Sequence, residues 1–233
     1  MNEYYRNDML KIIAATTMLI DHIGAVFFEQ IVILRIVGRI AFPIFAFYVA
    51  MGFIRTTDYK KYLIRMFGFA LLTQIPYSFF SLILTGNYYY MNVLFTFGFA
   101  LSALAFFKRK NYIVTGIFVI LPEIVAAITP VEFDYGSYGI LMVFVFYLFH
   151  KDKITRNISV LFLTIAHAFT VYIPRGFPFY YSFIDTQLYC VLALPLIDFN
   201  YKLKLNLPKY FFYTFYPAHI AVIVLIYFYS LKP

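Results

Sequence analysis

Long apolar stretches separated by short polar ones run the length of the chain. Nine can be drawn, over residues 10–28, 31–54, 62–84, 92–107, 112–129, 137–149, 158–173, 181–199 and 210–229. A membrane-crossing helix needs about 20 largely apolar residues. Most of these runs have that length. The runs at 92–107 and 137–149 are short and would need flanking aromatics or local bilayer thinning. Tyr88, Tyr89 and Tyr90 fit such an interfacial belt. The pattern predicts an all-α, polytopic membrane helix bundle of about nine transmembrane helices, a single domain over residues 1–233. Short connections leave no room for strands.

The connections alternate in charge. Basic ones hold Arg6 and Lys11, then Arg55, Lys60 and Lys61, then Lys108, Arg109 and Lys110, then Lys151, Lys153 and Arg156, and last Lys202, Lys204 and Lys209. The segments 29–30, 85–90, 130–135 and 174–180 carry little positive charge. With Arg65 at a helix end, fifteen of the nineteen Lys and Arg fall on one side, and Arg175 and Lys232 on the other. Lys and Arg accumulate in cytoplasmic loops, so the N-terminus is predicted to be cytoplasmic and the C-terminus outside.

Composition agrees. Hydrophobic residues make up 63% and charged residues 13%, with a mean hydropathy of +0.79. Soluble domains carry about 25% charged residues. The net charge of +8 sits in short clusters between apolar runs, which argues against nucleic acid as a partner and for the lipid bilayer. Cys190 is the single cysteine, so no disulfide forms within the chain and no multi-cysteine metal site is available. No metal is predicted. The first run is too long for a cleavable signal and no small-residue cleavage site follows it.

Ionisable residues inside the apolar runs change the picture most. Charge at bilayer depth costs roughly 3 kcal/mol per residue on insertion scales, and it commonly marks function. Asp21 and His22 interrupt the first run, and Arg35 and Arg39 the second. The alternating topology places all four in the outer half, with Glu123, His167, Asp185 and Gln187, while His219 lies near mid-depth. A shared cavity would produce that clustering.

His22 is read as a general base, or as a packed histidine bonded to a carbonyl. Asp21 points about 100° away from it around a helix, so its partner is expected on another helix, at Arg35 or Arg39. These two arginines are four apart and share a face. They can clamp a phosphate or carboxylate, or pair with Asp21 or Glu123. Pro43 should bend or open the second helix. Lys60, Lys61 and Arg65 are read as topology charge, or as a dock for an anionic cytoplasmic cofactor. Tyr216, Pro217 and His219 mark a helix defect that His219 either caps or uses to line a cavity. Asp134 with Tyr135, Gly136 and Gly139 reads as an outer turn entering a short helix, with Asp134 as its N-cap. Nucleophile elbows, Walker loops, HExxH and CxxC patterns are missing from the sequence.

At these residues the chain resembles the TraX family. The resemblance is carried by Leu10-Lys11-Ile12-Ile13 through Met18-Leu19-Ile20-Asp21-His22-Ile23-Gly24. It continues in Ile36-Val37-Gly38-Arg39-Ile40-Ala41-Phe42-Pro43-Ile44-Phe45-Ala46-Phe47 and Lys60-Lys61-Tyr62-Leu63-Ile64-Arg65. Gln74-Ile75-Pro76, Asn92-Val93-Leu94-Phe95-Thr96, Asp134-Tyr135-Gly136, Phe212-Tyr213 and Phe215-Tyr216-Pro217-x-His219 follow in order. The family's namesake is a conjugative-pilin N-acetyltransferase, and the family looks related to the wider transmembrane acyltransferases. The resemblance implies acetyl-CoA as acyl donor and His22 as the central catalytic residue. Asp21 and Arg39 would join it in the site. Arg35, Lys60, Lys61 and Arg65 would bind the donor. Glu123, Asp134, His167, Gln187, Tyr216 and His219 are further cavity candidates. The acceptor, a protein amine, a glycan or a lipid, is not fixed by the resemblance. A multi-pass place in a bacterial inner membrane is implied. The bare residues also fit a transporter or channel for a small anion or protons, or a non-catalytic assembly subunit.

Overall fold

A computed structural model describes residues 8–172, 186–201, 207–208 and 210–231. Asp185, Arg175, the loop lysines 202, 204 and 209, and residues 181–185 of the eighth apolar run lie outside them. The helices are α1 (Asp8–Phe27), α2 (Val32–Gly38), α3 (Ala41–Arg55), α4 (Tyr59–Thr85), α5 (Val93–Lys108), α6 (Tyr112–Ile128), α7 (Gly136–Leu148), α8 (Lys153–Tyr172), α9 (Ala193–Asp198) and α10 (Phe211–Ser230). A 3₁₀ helix, Thr186–Leu192, leads into α9. The fold is all-α, and the apolar runs became helices nearly where the pattern places them.

Helix ends follow local chemistry. Asp58, Asn92 and Asn111 precede α4, α5 and α6, and each side chain accepts a first-turn backbone N–H, from Lys61, Leu94 and Val114. Gly86 ends α4 in the left-handed region, at φ 74°, where a Cβ would be strained.

Residues 31–54 open into two helices, as expected of Pro43, with Arg39 and Ile40 separating α2 from α3, while two other expectations are corrected. The cause is Pro43. Its ring has no N–H for the carbonyl four residues back, which is that of Arg39, and it clashes there. The basic segment 151–156 is not all loop. Asp152 accepts the Ile154 and Thr155 N–H groups and starts α8 at Lys153. Strands do occur: β1 (Tyr90–Met91) pairs in parallel with β2 (Glu132–Phe133). The two connections have backbone groups that need partners, and they find them in each other.

Among the described residues, four segments are long and apolar enough to cross a membrane: α1, Val32–Arg55, α4 and α10. The helices α5, α6, α7 and the segment Thr186–Asp198 are apolar but shorter. Many large apolar side chains point outward. On α4, Ile64 and Ile75 are at least 70% exposed, while Tyr62, Met66, Thr73 and Tyr77 are buried on the other face. Large aliphatic side chains gathered on the outer face of a helix fit a surface that meets lipid.

The chain groups into two compact units. The first comprises Met1–Met51 and Val145–Pro208. Its core includes Ile44, Phe47, Phe146 and Val160, with Phe47 and Phe146 edge-to-face at 5.6 Å. The second comprises Gly52–Phe144 and Lys209–Pro233. It is built on α4 with α5 and α10, and on α5 with α6. Phe97, Leu101, Leu104 and Ile220 are buried in it.

Candidate functional site

In the first unit α1 and α2 form a tight hairpin. A Cβ on Gly24 would fall 2.6 Å from the Leu34 Cβ, and one on Gly38 would fall 2.1 Å from Asp21 Oδ1. Both glycines are therefore required by close approach rather than by backbone conformation. The approach lets Arg35 Nη1 donate to Asp21 Oδ2 at 2.8 Å and to the Asp21 carbonyl at 3.1 Å. The pair is partly buried, with side-chain exposures of 28% for Arg35 and 14% for Asp21. Asp21 Oδ1 is buried with no hydrogen-bond partner among the described residues. Arg39 lies one turn further and also acts on this carboxylate through its charge. Its Nη1 donates to Gln187 Oε1 at 3.3 Å. His22 follows Asp21 on α1 and is half-buried.

Five of the expected residues thus lie in one unit: Asp21 and His22 on α1, Arg35 on α2 with Arg39 just past its end, and the buried Gln187 on the 3₁₀ helix. That helix contacts α2 and α8. On its α8 side Cys190 Sγ is 3.4 Å from Thr164 Oγ1. His167 lies one turn beyond Thr164, half-buried. The arrangement is a carboxylate and two guanidinium groups, with an imidazole at the next position along α1. It can bind an anion and can move a proton.

The second unit holds the rest. His219 is buried on α10. Its Nδ1 lies 2.8 Å from the Phe215 carbonyl, so that nitrogen carries the proton and donates. The ring stacks on Phe215 at 4.8 Å. The carbonyl that Pro217 leaves without its helical donor belongs to Tyr213, so His219 serves a different carbonyl from the one the defect frees. Tyr216 is buried on α10. Tyr77 and Tyr216 both lie within electrostatic range of Asp134.

A side chain of α6 serves the first turn of α7. The Ser137 N–H goes to Glu123 Oε1 of α6 at 2.9 Å. Glu123 is thus exposed on α6 and engaged with a helix start. The Asp134 backbone is pinned by Met91 O, which accepts its N–H at 2.9 Å, and by Thr96 Oγ1, which donates to its carbonyl at 2.5 Å. Tyr135 and Gly136 then both take positive φ, 63° and 42°.

Lys60 and Lys61 are exposed, and Lys61 pairs with Asp58 at 3.3 Å. Arg65 turns instead to tyrosines. Its guanidinium lies 5.3 Å from the Tyr62 ring centroid and 5.8 Å from that of Tyr213. The Tyr213 and Tyr210 hydroxyls lie near enough to act on its charge.

Two features were read only as topology or as motif. Arg156 is 1% exposed and donates to Asp198 at 2.5 Å and to Asn157. Asn92, wholly buried, donates to the Ala70 carbonyl at 2.9 Å and to Gln74 Oε1 at 2.8 Å, and Gln74 donates to the Tyr90 carbonyl. The sequence signal for this network was the pair of polar positions in apolar runs. Among the described residues no group of three or more His, Cys, Asp or Glu is placed to hold a metal ion.

Comparison with known proteins covers the chain almost from end to end. The chain is 27% identical over 230 residues to a probable fimbrial assembly protein FimC, serogroup H1, of Dichelobacter nodosus, covering 92% of each. It is 26% identical over 215 residues to an uncharacterized protein of Rickettsia prowazekii, covering 88% of this chain and 80% of that one. It is 24% identical over 225 residues to protein TraX of Escherichia coli, covering 94% and 86%. No solved structure matches. The family described as TraX protein matches over residues 6–227, both units included, and the chain belongs to the TraX family.

Proposed function

We propose that this protein is a membrane-embedded acetyltransferase. It takes an acetyl group from cytoplasmic acetyl-CoA and delivers it to an amine or hydroxyl acceptor at or beyond the outer side of the membrane. The observation that carries this reading is the α1–α2 hairpin, in which His22 stands beside a carboxylate locked to Arg35, with Arg39 on the next turn. Family membership adds the acyl-transfer chemistry implied by the sequence resemblance. The FimC relative's name adds a link to surface-fibre assembly.

His22 takes the proton of the acceptor N–H or O–H as that atom attacks the thioester carbonyl. Arg39 faces the negative charge that develops on the carbonyl oxygen. The carbon–sulfur bond breaks, and His22 returns the proton to the departing sulfur. Alternatively His22 itself carries the acetyl group between the two substrates. Asp21 holds Arg35, which keeps the hairpin in register. Lys60 and Lys61, exposed at the basic end of α4, suit the phosphates of the donor.

The nine-helix, multi-pass arrangement with a cytoplasmic N-terminus belongs to the same proposal, in a bacterial inner membrane. Contacts within each unit support it. In the first, Asp8 accepts the Leu207 N–H and Asp198 pairs with Arg156 and Lys153, joining basic segments. In the second, Arg109 bonds the Tyr59 hydroxyl beside Lys60. The weakly charged segments join each other through β1, β2 and the bond from Asn87 to the Pro130 carbonyl. Like segments meet like, as two faces of a membrane require.

The test is transfer of labelled acetyl from acetyl-CoA to a panel of amines, sugars and lipids by the purified protein, beside ion flux in liposomes. Labelled acceptor without flux supports the enzyme. Flux without labelled acceptor replaces it with a transporter.

A further inference from the structure

Arg65 is a cation whose contacts are aromatic. Its guanidinium is flanked by the rings of Tyr62 and Tyr213, with the phenols of Tyr213 and Tyr210 close by. No carboxylate lies within 4 Å of it among the described residues, and its Nε is buried without an acceptor there. Tyrosine faces attract a cation but leave its charge whole. A charge inside an apolar helix surface is stable when an anion meets it.

The surface next to Arg65 says which anion. Beyond it on α4, Gly68, Leu71, Leu72 and Ile75 are exposed. A Cβ at Gly68 would meet nothing within 4 Å, so between Ile64 and Leu71 the helix presents a notch one side chain deep. Lys61 lies one turn toward the basic end of the helix, exposed. Tyr210 is 47% exposed beside it. A positive group at one end of an apolar, notched stripe matches a ligand that joins a phosphate to an alkyl chain. A free phosphate would leave the stripe unused.

We infer that the seam of α4 and α10 at Arg65 holds the phosphodiester of one anionic phospholipid, with an acyl chain lying along the Gly68 notch. The tyrosines fix the guanidinium fork toward the headgroup, and Lys61 adds charge near the membrane surface.

The titration contains neither acetyl-CoA nor acceptor, so its result is independent of the acetyl-transfer reading. The purified full chain in neutral detergent is titrated with phosphatidylglycerol or phosphatidylcholine, and bound lipid is counted by native mass spectrometry. One phosphatidylglycerol should bind at least tenfold more tightly than phosphatidylcholine. Arg65→Gln and Gly68→Leu should each weaken it tenfold or more, and excess inorganic phosphate should not displace it. Gly68→Leu fills open space on a helix and keeps Arg65, so it decides the matter even where Arg65→Gln fails to fold. Unchanged binding in Gly68→Leu overturns the inference. So does equal binding of the two lipids, or displacement by inorganic phosphate, which would make this a free-phosphate site.

Discussion

Asp21 and Arg35 are joined at 2.8 Å across a hairpin whose next turn has no room for a side chain at Gly38. The glycine lets α2 approach, and the approach makes the ion pair. Gly38→Ala should therefore cost about 1–3 kcal/mol by overpacking and should loosen Asp21. The check is the thermal unfolding midpoint in detergent. An unchanged midpoint would show that the hairpin is not packed this closely.

The ion pair itself predicts non-additivity. Asp21→Asn or Arg35→Gln alone should each cost on the order of 2 kcal/mol. That is less than the roughly 3–5 kcal/mol for breaking a fully buried pair, because both side chains keep some solvent access. The double variant should cost clearly less than the two single costs added together. Simple additivity of the unfolding free energies would mean that the two groups act separately.

In the second unit Asn92 caps α5, satisfies the Ala70 carbonyl and bonds Gln74. Asn92→Ala removes three side-chain bonds at a buried position and leaves the Leu94 N–H without its cap, while Gln74 Oε1 keeps the Asn92 backbone N–H, and an unmet buried group costs about 1–3 kcal/mol. The expected outcome is a larger loss of thermal stability than in Asn87→Ala, whose bonds are exposed.

Much of this was legible in the sequence. Asp21, His22, Arg35 and Arg39 stood out because charge in an apolar run is costly wherever it points. The break before α3 followed from Pro43. Partners far along the chain were not legible, because no local spacing relates Arg39 to Gln187 or Arg65 to Tyr210 and Tyr213. Glu123 read as a cavity member because the apolar run around it carries no sign that its carboxylate serves the start of another helix. The β1–β2 pair escaped because two-residue strands leave no periodic trace.

Acid should act on the helix starts outside the apolar runs. Backbone N–H bonds from Lys61 hold the Asp58 carboxyl below the usual carboxylate value of 3.8, and the Thr155 hydroxyl and backbone do so for Asp152. A depressed folded-state value means that the contribution is present above about pH 4 and is lost as pH falls through the lower folded value. Amide exchange in the first turns of α4 and α8 should quicken below that window. Asp58→Asn and Asp152→Asn should remove the pH dependence. A first turn equally protected on both sides of the window would contradict the capping role.

The central claim is that His22 performs the transfer. The direct measurement is release of free CoA thiol from acetyl-CoA by the purified protein, beside His22→Ala of matched thermal stability, with amines and sugars supplied as acceptors. The account predicts acceptor-stimulated release that falls at least a hundredfold in His22→Ala, within the range of about 10²–10⁴ for general acid–base catalysis. Undiminished release by the folded variant would contradict it.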